Sequence, residues 1–139
     1  MQSSKKSKNK IKQWYLKYFD WNEDGVANFW MTSEYDEDGH LILATTGLDS
    51  DDDDIMEEWT ESSYTYDSDG WLTTETSYSA YDSDDDGSVD EEIWIERSYS
   101  YDADGNIVAQ TESVEEEGSS SLMEWTYDAD GNVLTERIT

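Results

Sequence analysis

The chain has no cysteine and no proline, a single histidine, and 8 basic residues against 36 acidic ones. Without cysteine there is no disulfide framework, no thiolate metal site and no cysteine nucleophile. The lack of proline is compatible with uninterrupted strands. The longest strongly apolar run, Leu41 to Ala44, is far too short to cross a bilayer. Met1 leads into QSSKKSKNK rather than an apolar leader, so no signal peptide is visible. His40 adjoins a turn glycine and has no catalytic partner in sequence. There is no Gly-x-Ser-x-Gly elbow and no phosphate-binding glycine loop. Carboxylates are so frequent that no acid and base pair stands out. Enzyme chemistry is therefore not expected.

What the chain does contain is charge and aromatic surface. A formal net charge of -28 over 139 residues, with few Leu, Ile, Val or Phe, is a composition typical of disorder. Seven Trp and ten Tyr oppose that reading, because each buried ring removes on the order of 150 to 250 Å² from water. One domain, long enough to bury a core, is expected. The charge is uneven. Lys5, Lys6, Lys8, Lys10, Lys12 and Lys17 hold most of the basic residues, and only Arg97 and Arg137 follow. Residues 1–10 read as a basic flexible arm on an acidic body spanning 11–139. The body would repel phosphate, so nucleic acid is not an expected partner. The arm's natural target is an anionic surface such as the body of another copy.

The body repeats. The turns Tyr35-Asp36-Glu37-Asp38-Gly39, Tyr66-Asp67-Ser68-Asp69-Gly70, Tyr101-Asp102-Ala103-Asp104-Gly105 and Tyr127-Asp128-Ala129-Asp130-Gly131 recur at intervals of roughly thirty residues. Leu41, Leu72, Ile107 and Val133 follow two residues after each glycine. Glycine can take the left-handed conformation that ends a type I hairpin turn with a bulge, and the first Asp can accept bonds from the turn backbone. Tyr64/Tyr66, Tyr99/Tyr101 and Trp125/Tyr127 should form an aromatic stripe on one sheet face. The expected fold is all-β: an antiparallel up-and-down meander of about nine strands, closed as a sandwich or open barrel or left as an extended sheet. Its units span approximately 20–48, 49–81, 82–114 and 115–139.

The segment Ser98-Tyr99-Ser100-Tyr101-Asp102-Ala103-Asp104-Gly105-Asn106-Ile107 and its three sister turns resemble the tyrosine-aspartate (YD, or RHS-type) repeat, whose core is Tyr-x-Tyr-Asp-x-x-Gly-x-Leu. The resemblance covers roughly residues 30–139 and implies successive antiparallel hairpins in a secreted or surface-exposed protein. Where that family commonly has Arg after the glycine, this chain has His40, Trp71, Asn106 and Asn132. Four repeats are too few for the payload-enclosing shells of large family members.

Between the hairpins lie acidic loops with calcium-ligand spacing. In a D-x-D-x-D-G loop the glycine permits a sharp bend that brings oxygens at positions 1, 3 and 5 onto one ion. A carbonyl at 7 and an oxygen at 9 extend the shell. The third loop supplies Asp82, Asp84, Asp86, the Ser88 carbonyl and Asp90. The second supplies Asp49, Asp51, Asp53, the Ile55 carbonyl and Glu57, with Asp54 in place of glycine. The first supplies Asp20, Asn22, Asp24, the Val26 carbonyl and Asn28. At position 12, where an EF-hand has a bidentate Glu, stand Met31, Thr60 and Ile93, so Ca²⁺ affinity in the weak extracellular range of about 10⁻⁴ to 10⁻³ M is expected. A meander should gather these loops at one pole and the YDxDG turns at the other. The expected role is an extracellular or cell-surface, calcium-stabilised structural subunit that polymerises through edge strands and the basic arm. The alternative is a glycan- or surface-binding module using exposed rings such as Trp21, Trp71 and Tyr78.

Overall fold

The computed structural model describes residues 15–19 (backbone only), 28–49, 56–84 and 86–139. Nine strands follow one another: β1 (Tyr15–Phe19), β2 (Phe29–Tyr35), β3 (Leu41–Leu48), β4 (Glu58–Tyr66), β5 (Leu72–Tyr81), β6 (Glu91–Tyr101), β7 (Ile107–Glu116), β8 (Ser119–Tyr127) and β9 (Val133–Ile138). Each pairs antiparallel with its sequence neighbours, so the sheet order is the chain order. Tyr, Trp, Thr, Val and Ile are abundant in these segments and suit a pleated, half-buried surface. Every strand packs against its immediate neighbours alone. The meander is therefore an open, single-layer sheet; among the described residues it neither closes into a barrel nor folds over as a sandwich.

Sequence composition suggested a buried core, and the structure corrects this. Among the described residues Ala80 is the only buried apolar side chain, at 5% exposure. A lone sheet has no facing layer to cover its side chains, so both faces stay half wet. Cohesion comes from lateral contacts between strands. Hydroxyl pairs run across neighbouring strands, including Thr60 with Ser79 at 3.0 Å, Ser62 with Ser77 at 3.3 Å and Ser98 with Thr111 at 2.6 Å. Arg97 bridges Glu112 at 2.5 Å and Glu75 at 3.5 Å across three strands.

The repeat is structural as well as textual. In each hairpin the turn glycine N–H donates to the carbonyl of the first turn Asp, from Gly39 to Asp36 and likewise at Gly70, Gly105 and Gly131. All four glycines have φ between 82° and 87°. A register shift follows each turn at an equivalent place: Tyr35 faces Leu41 but Glu34 faces Leu43, and the same slip recurs at Tyr66, Tyr101 and Tyr127. One residue is thus bulged in every unit: Ile42, Thr73, Val108 and Leu134. Bulges of this kind increase local twist.

The tyrosine before each of the last three turns ties its unit to the one before. The Tyr66 hydroxyl donates to the Leu41 carbonyl at 2.9 Å, and the Tyr101 hydroxyl to the Leu72 carbonyl at 2.7 Å. The ring of His40 stacks on Tyr66 at 4.6 Å between centroids, and Trp71 lies on Tyr101 at 5.3 Å. Burial pushes the Tyr66 and Tyr101 phenols above their ordinary range. In the third unit Asn106 brings no ring to stack, and Tyr127 of the last unit turns instead to the Gln110 side chain at 3.4 Å.

Candidate metal centre

The meander puts the YDxDG turns at one pole and the acidic connections at the other. At the acidic pole the loops are laced together by their backbones. The Asp49 N–H donates to the Asn28 carbonyl at 2.9 Å, and the Asp82 N–H donates to the Glu57 carbonyl at 3.0 Å. Position 1 of each loop thereby bonds to position 9 of the loop before it. The second and third loops also close on themselves, Glu57 N–H to the Leu48 carbonyl and Asp90 N–H to the Tyr81 carbonyl. Asn28, Asp49 and Asp82 are buried as a result. The sequence showed the spacing of these residues but not the lacing, because backbone bonds between loops leave no residue signature.

The third loop is described in all but Asp85. Asp82, 6% exposed, folds its carboxylate back over the loop and accepts from Asp86 N at 3.3 Å and Gly87 N at 2.8 Å. Asp86 accepts from Ser88 N at 2.8 Å. Carboxylate oxygens of Asp82, Asp84 and Asp86 all lie within 4.8 Å of one another. An ion with metal–oxygen distances of roughly 2.3–2.6 Å spans ligands up to about 5 Å apart, so this trio can hold one metal ion. Gly87 has φ 82°, the left-handed bend that the spacing anticipated at position 6.

Electrostatics single out Asp84. The neighbouring charge of Asp86, then that of Asp90, pushes its carboxyl above the ordinary range, with burial and Asp82 adding to the effect. Asp90 has a partner of its own. Its Oδ2 accepts from the Ser83 hydroxyl at 2.6 Å and from Ser83 N at 2.8 Å, which hold it below the ordinary carboxylate range. Asp90 is outside the close trio and braces the loop mouth through Ser83, a partner that the spacing rule did not flag.

The other loop residues are placed only in part. Asn28 and Asp49 adjoin, with Asn28 Nδ2 donating to the Asp49 carbonyl at 3.4 Å. Glu57 lies at the base of the second loop. Asp20, Asn22, Asp24, Val26, Asp51, Asp53 and Ile55 fall outside the described residues, as does the arm at 1–10. The connection after β7 has shrunk to a tight reversal, with Glu116 opposite Ser119 and Gly118 at φ 78°.

At the opposite pole Asp36, Asp38 and His40 also cluster, and could likewise hold a metal ion by spacing alone. Their hydrogen bonds describe a turn brace. Asp36 Oδ1 accepts from Asp38 N and His40 N, both at 2.9 Å, while His40 Nδ1 donates to Asp36 Oδ2 at 3.0 Å. Asn106 Nδ2 donates to Asp102 Oδ2 at 3.0 Å, and Asn132 Nδ2 to Asp128 Oδ2 at 3.0 Å, in the same geometry. His40 therefore has a partner after all, and its nitrogen does what the asparagine amide does two and three units later. At Asp102 the Asn106 side chain and backbone hold the carboxyl below its ordinary range, and Asn132 does so at Asp128.

The exposed rings also lie at the acidic pole. Trp59 meets Tyr78 edge-on at 6.0 Å, and Tyr78 packs on Trp94 at 4.3 Å. Trp59 and Trp94 stay 40% and 52% exposed. Of the three rings singled out in sequence, Tyr78 belongs to this ladder and donates its hydroxyl to Glu92 at 2.8 Å. Trp71 is half-buried between Tyr101 and the Gly105 turn, and Trp21 is outside the described residues. Comparison with family models, with curated proteins and with solved structures finds no match in any of the three.

Proposed function

We propose that the protein is an extracellular structural subunit: a calcium-stiffened β-repeat ribbon that joins copies of itself through its edge strands and basic arm. The observation that carries this reading is the exposure of β9. Reciprocal bonds join Thr139 and Leu122, so by strand alternation the backbone groups of Glu136 and Ile138 face outward from β9. Val133, Leu134 and Ile138 are 55%, 62% and 65% exposed, and no described strand covers that edge. An open apolar edge is a template for pairing with another chain.

Calcium enters through the Asp82 loop. Hard carboxylate oxygens suit Ca²⁺, and an ion there would relieve the repulsion concentrated on Asp84. The lacing of that loop to its neighbour would pass the stiffening along the pole. Melting and light scattering with EDTA, Mg²⁺ or Ca²⁺ at matched ionic strength test both parts. A melting shift specific to Ca²⁺ and particle growth are expected. A response to bulk salt alone, or a monomer in millimolar Ca²⁺, would sink the idea.

A second reading, an adhesion module for glycans, is favoured by the exposed Trp59–Tyr78–Trp94 ladder. Aromatic faces stack on sugar rings, and the flanking carboxylates accept hydroxyl hydrogens. Silence on a glycan array together with unchanged Trp fluorescence would remove it.

A further inference from the structure

The face that carries Trp94 is aromatic and anionic at once. Pairing registers put Trp59, Ala80, Tyr78, Trp94 and Glu115 on the same side of β4 to β7. Glu92 and Glu96 stand two residues to either side of Trp94 along β6, and so share its face. A cavity of about 340 Å³ lies between Trp94 and the carboxylates of Asp90, Glu92, Glu115, Glu116 and Glu117. On the opposite face Arg97 neutralises Glu75 and Glu112. Here, among the described residues, no cation forms an ion pair with Glu92, Glu96 or Glu115.

A half-exposed indole surrounded by carboxylates suits an ammonium group, which gains from the ring face and from the charges together. A neutral sugar can donate hydroxyl hydrogens to these carboxylates but brings no charge to set against theirs, and an anion would be repelled. The chain itself holds a complementary segment. Lys5, Lys6, Lys8, Lys10 and Lys12 precede the first acidic residue, Asp20. Lys6, Lys8, Lys10 and Lys12 alternate, so an extended segment aligns them on one side at about 6.8 Å per step. Glu92, Trp94 and Glu96 repeat along β6 at the same two-residue step.

We propose that this face is the docking site for the Lys5 to Lys12 segment of a second copy. The segment lies extended along β6, its ammonium groups meeting Glu92, the Trp94 ring, Glu96 and the carboxylates around the cavity. It leads into β1, which is five strands from β6 and so about 24 Å away across the sheet. Docking on a neighbour therefore does not occupy the β9 edge. The inference rests on the self-association reading above and names the surface that the arm would use.

The test uses the full chain with Lys5, Lys6, Lys8, Lys10 and Lys12 changed to Gln as receptor. A synthetic peptide of residues 1–12, which contains no Trp, serves as probe. Saturable quenching of Trp fluorescence is expected, weakening steeply with NaCl. Trp94→Ala should lower the affinity roughly 2- to 30-fold. Glu96→Gln, a mild change, should lower it too, which guards against a Trp94 variant that fails to fold. Equal binding of a peptide with every Lys replaced by Gln, or unchanged affinity in both receptor variants, would overturn the proposal. So would a neutral oligosaccharide that binds the face when the peptide does not, or a concentration-independent quench in the native chain, which would mean docking within one molecule. Sedimentation separates the two readings. If Ile138→Lys abolishes association while the five Lys changes do not, edge pairing stands and arm docking fails. If the native chain stays monomeric yet the peptide binds at Trp94 with the expected losses, the surface is real and the edge reading fails.

Discussion

The indole of Trp71 lies directly under Gly105: a methyl carbon added to that glycine would fall 2.9 Å from Trp71 Cζ2. His40 lies under Gly70 in the same way, with Nε2 at 3.3 Å. The turn glycine of each middle unit thus does two jobs, supplying a positive φ and leaving room for the preceding unit's ring. At Gly131 nothing lies within 4 Å. Gly131→Ala should cost only the left-handed strain, roughly 1–2 kcal/mol. Gly105→Ala should cost clearly more, because Trp71 must also move. Urea denaturation of the two variants decides it, and equal losses would refute the double role.

Trp30 covers Gly47 on the adjacent strand. An added Cβ would collide with Trp30 Cε2, so Gly47→Ala must displace the indole and its 3.4 Å contact to Met56 Sδ. A loss of about 1–3 kcal/mol is expected, as for other overpacked sites. In a Trp30→Leu background the same change should cost much less. A double-mutant cycle measured by thermal melting checks the coupling.

Tyr101→Phe removes one hydrogen bond to the Leu72 carbonyl and leaves the ring in place. A loss of about 0.5–1.5 kcal/mol is expected, and a similar one for Tyr66→Phe. Tyr127→Phe should be milder, since its 3.4 Å partner is a side-chain amide. Similar losses at all three positions would show that the backbone carbonyl acceptor adds nothing over the side-chain amide.

Acid should act in two opposed steps. Hydrogen bonds from Ser83, Asn106 and Asn132 hold Asp90, Asp102 and Asp128 below the ordinary carboxylate value of 3.8. Their contribution is present above 3.8 and is lost as pH falls through the lower folded values. Asp84 has the opposite sign. Its folded pKa is above 3.8, so its charge destabilises the fold at neutral pH, and protonation between the raised value and 3.8 relieves this. Without metal, stability should rise slightly as pH falls through that window and then drop below it. With Ca²⁺ the initial rise should vanish. An NMR titration of the Asp84 carboxyl, with and without Ca²⁺, reads the shift directly.

Substitution separates the ligand roles within the loop. Asp84→Asn and Asp86→Asn should weaken Ca²⁺ binding strongly, since both belong to the close trio. Ser83→Ala should weaken it mildly by freeing Asp90 from its brace. Calorimetric titration with Ca²⁺ measures each, and a Ser83→Ala effect as large as that of Asp84→Asn would contradict the bracing role.

The hairpin repeat was legible because turn chemistry is local. Tyr-Asp-x-Asp-Gly fixed where strands reverse, and alternating polar and aromatic residues marked what lies between. From these the all-β meander and its two poles followed. The absence of a second layer was not legible, since Thr and Ser on a strand read the same whether the face meets solvent or a partner sheet. The four bulges were hidden too, because Ile42, Thr73, Val108 and Leu134 share only a position. At the acidic pole, aspartate spacing found the Asp82, Asp84 and Asp86 cluster but did not show the bond from Ser83 to Asp90, which is set by how the loop curls. His40 looked isolated for a similar reason: its equivalence to Asn106 and Asn132 lies in the direction of a ring nitrogen, not in residue type.

A sheet whose strands touch only their neighbours has no shared centre through which distant units communicate. Its free energy is then close to a sum of nearest-neighbour terms, as in linear repeat arrays, and its contact order is low for an all-β chain. Opening should begin at the β9 edge and move inward one hairpin at a time. Amide exchange would accordingly be fastest in Val133–Ile138 and slowest around β5 and β6, giving a ramp of protection rather than one cooperative plateau.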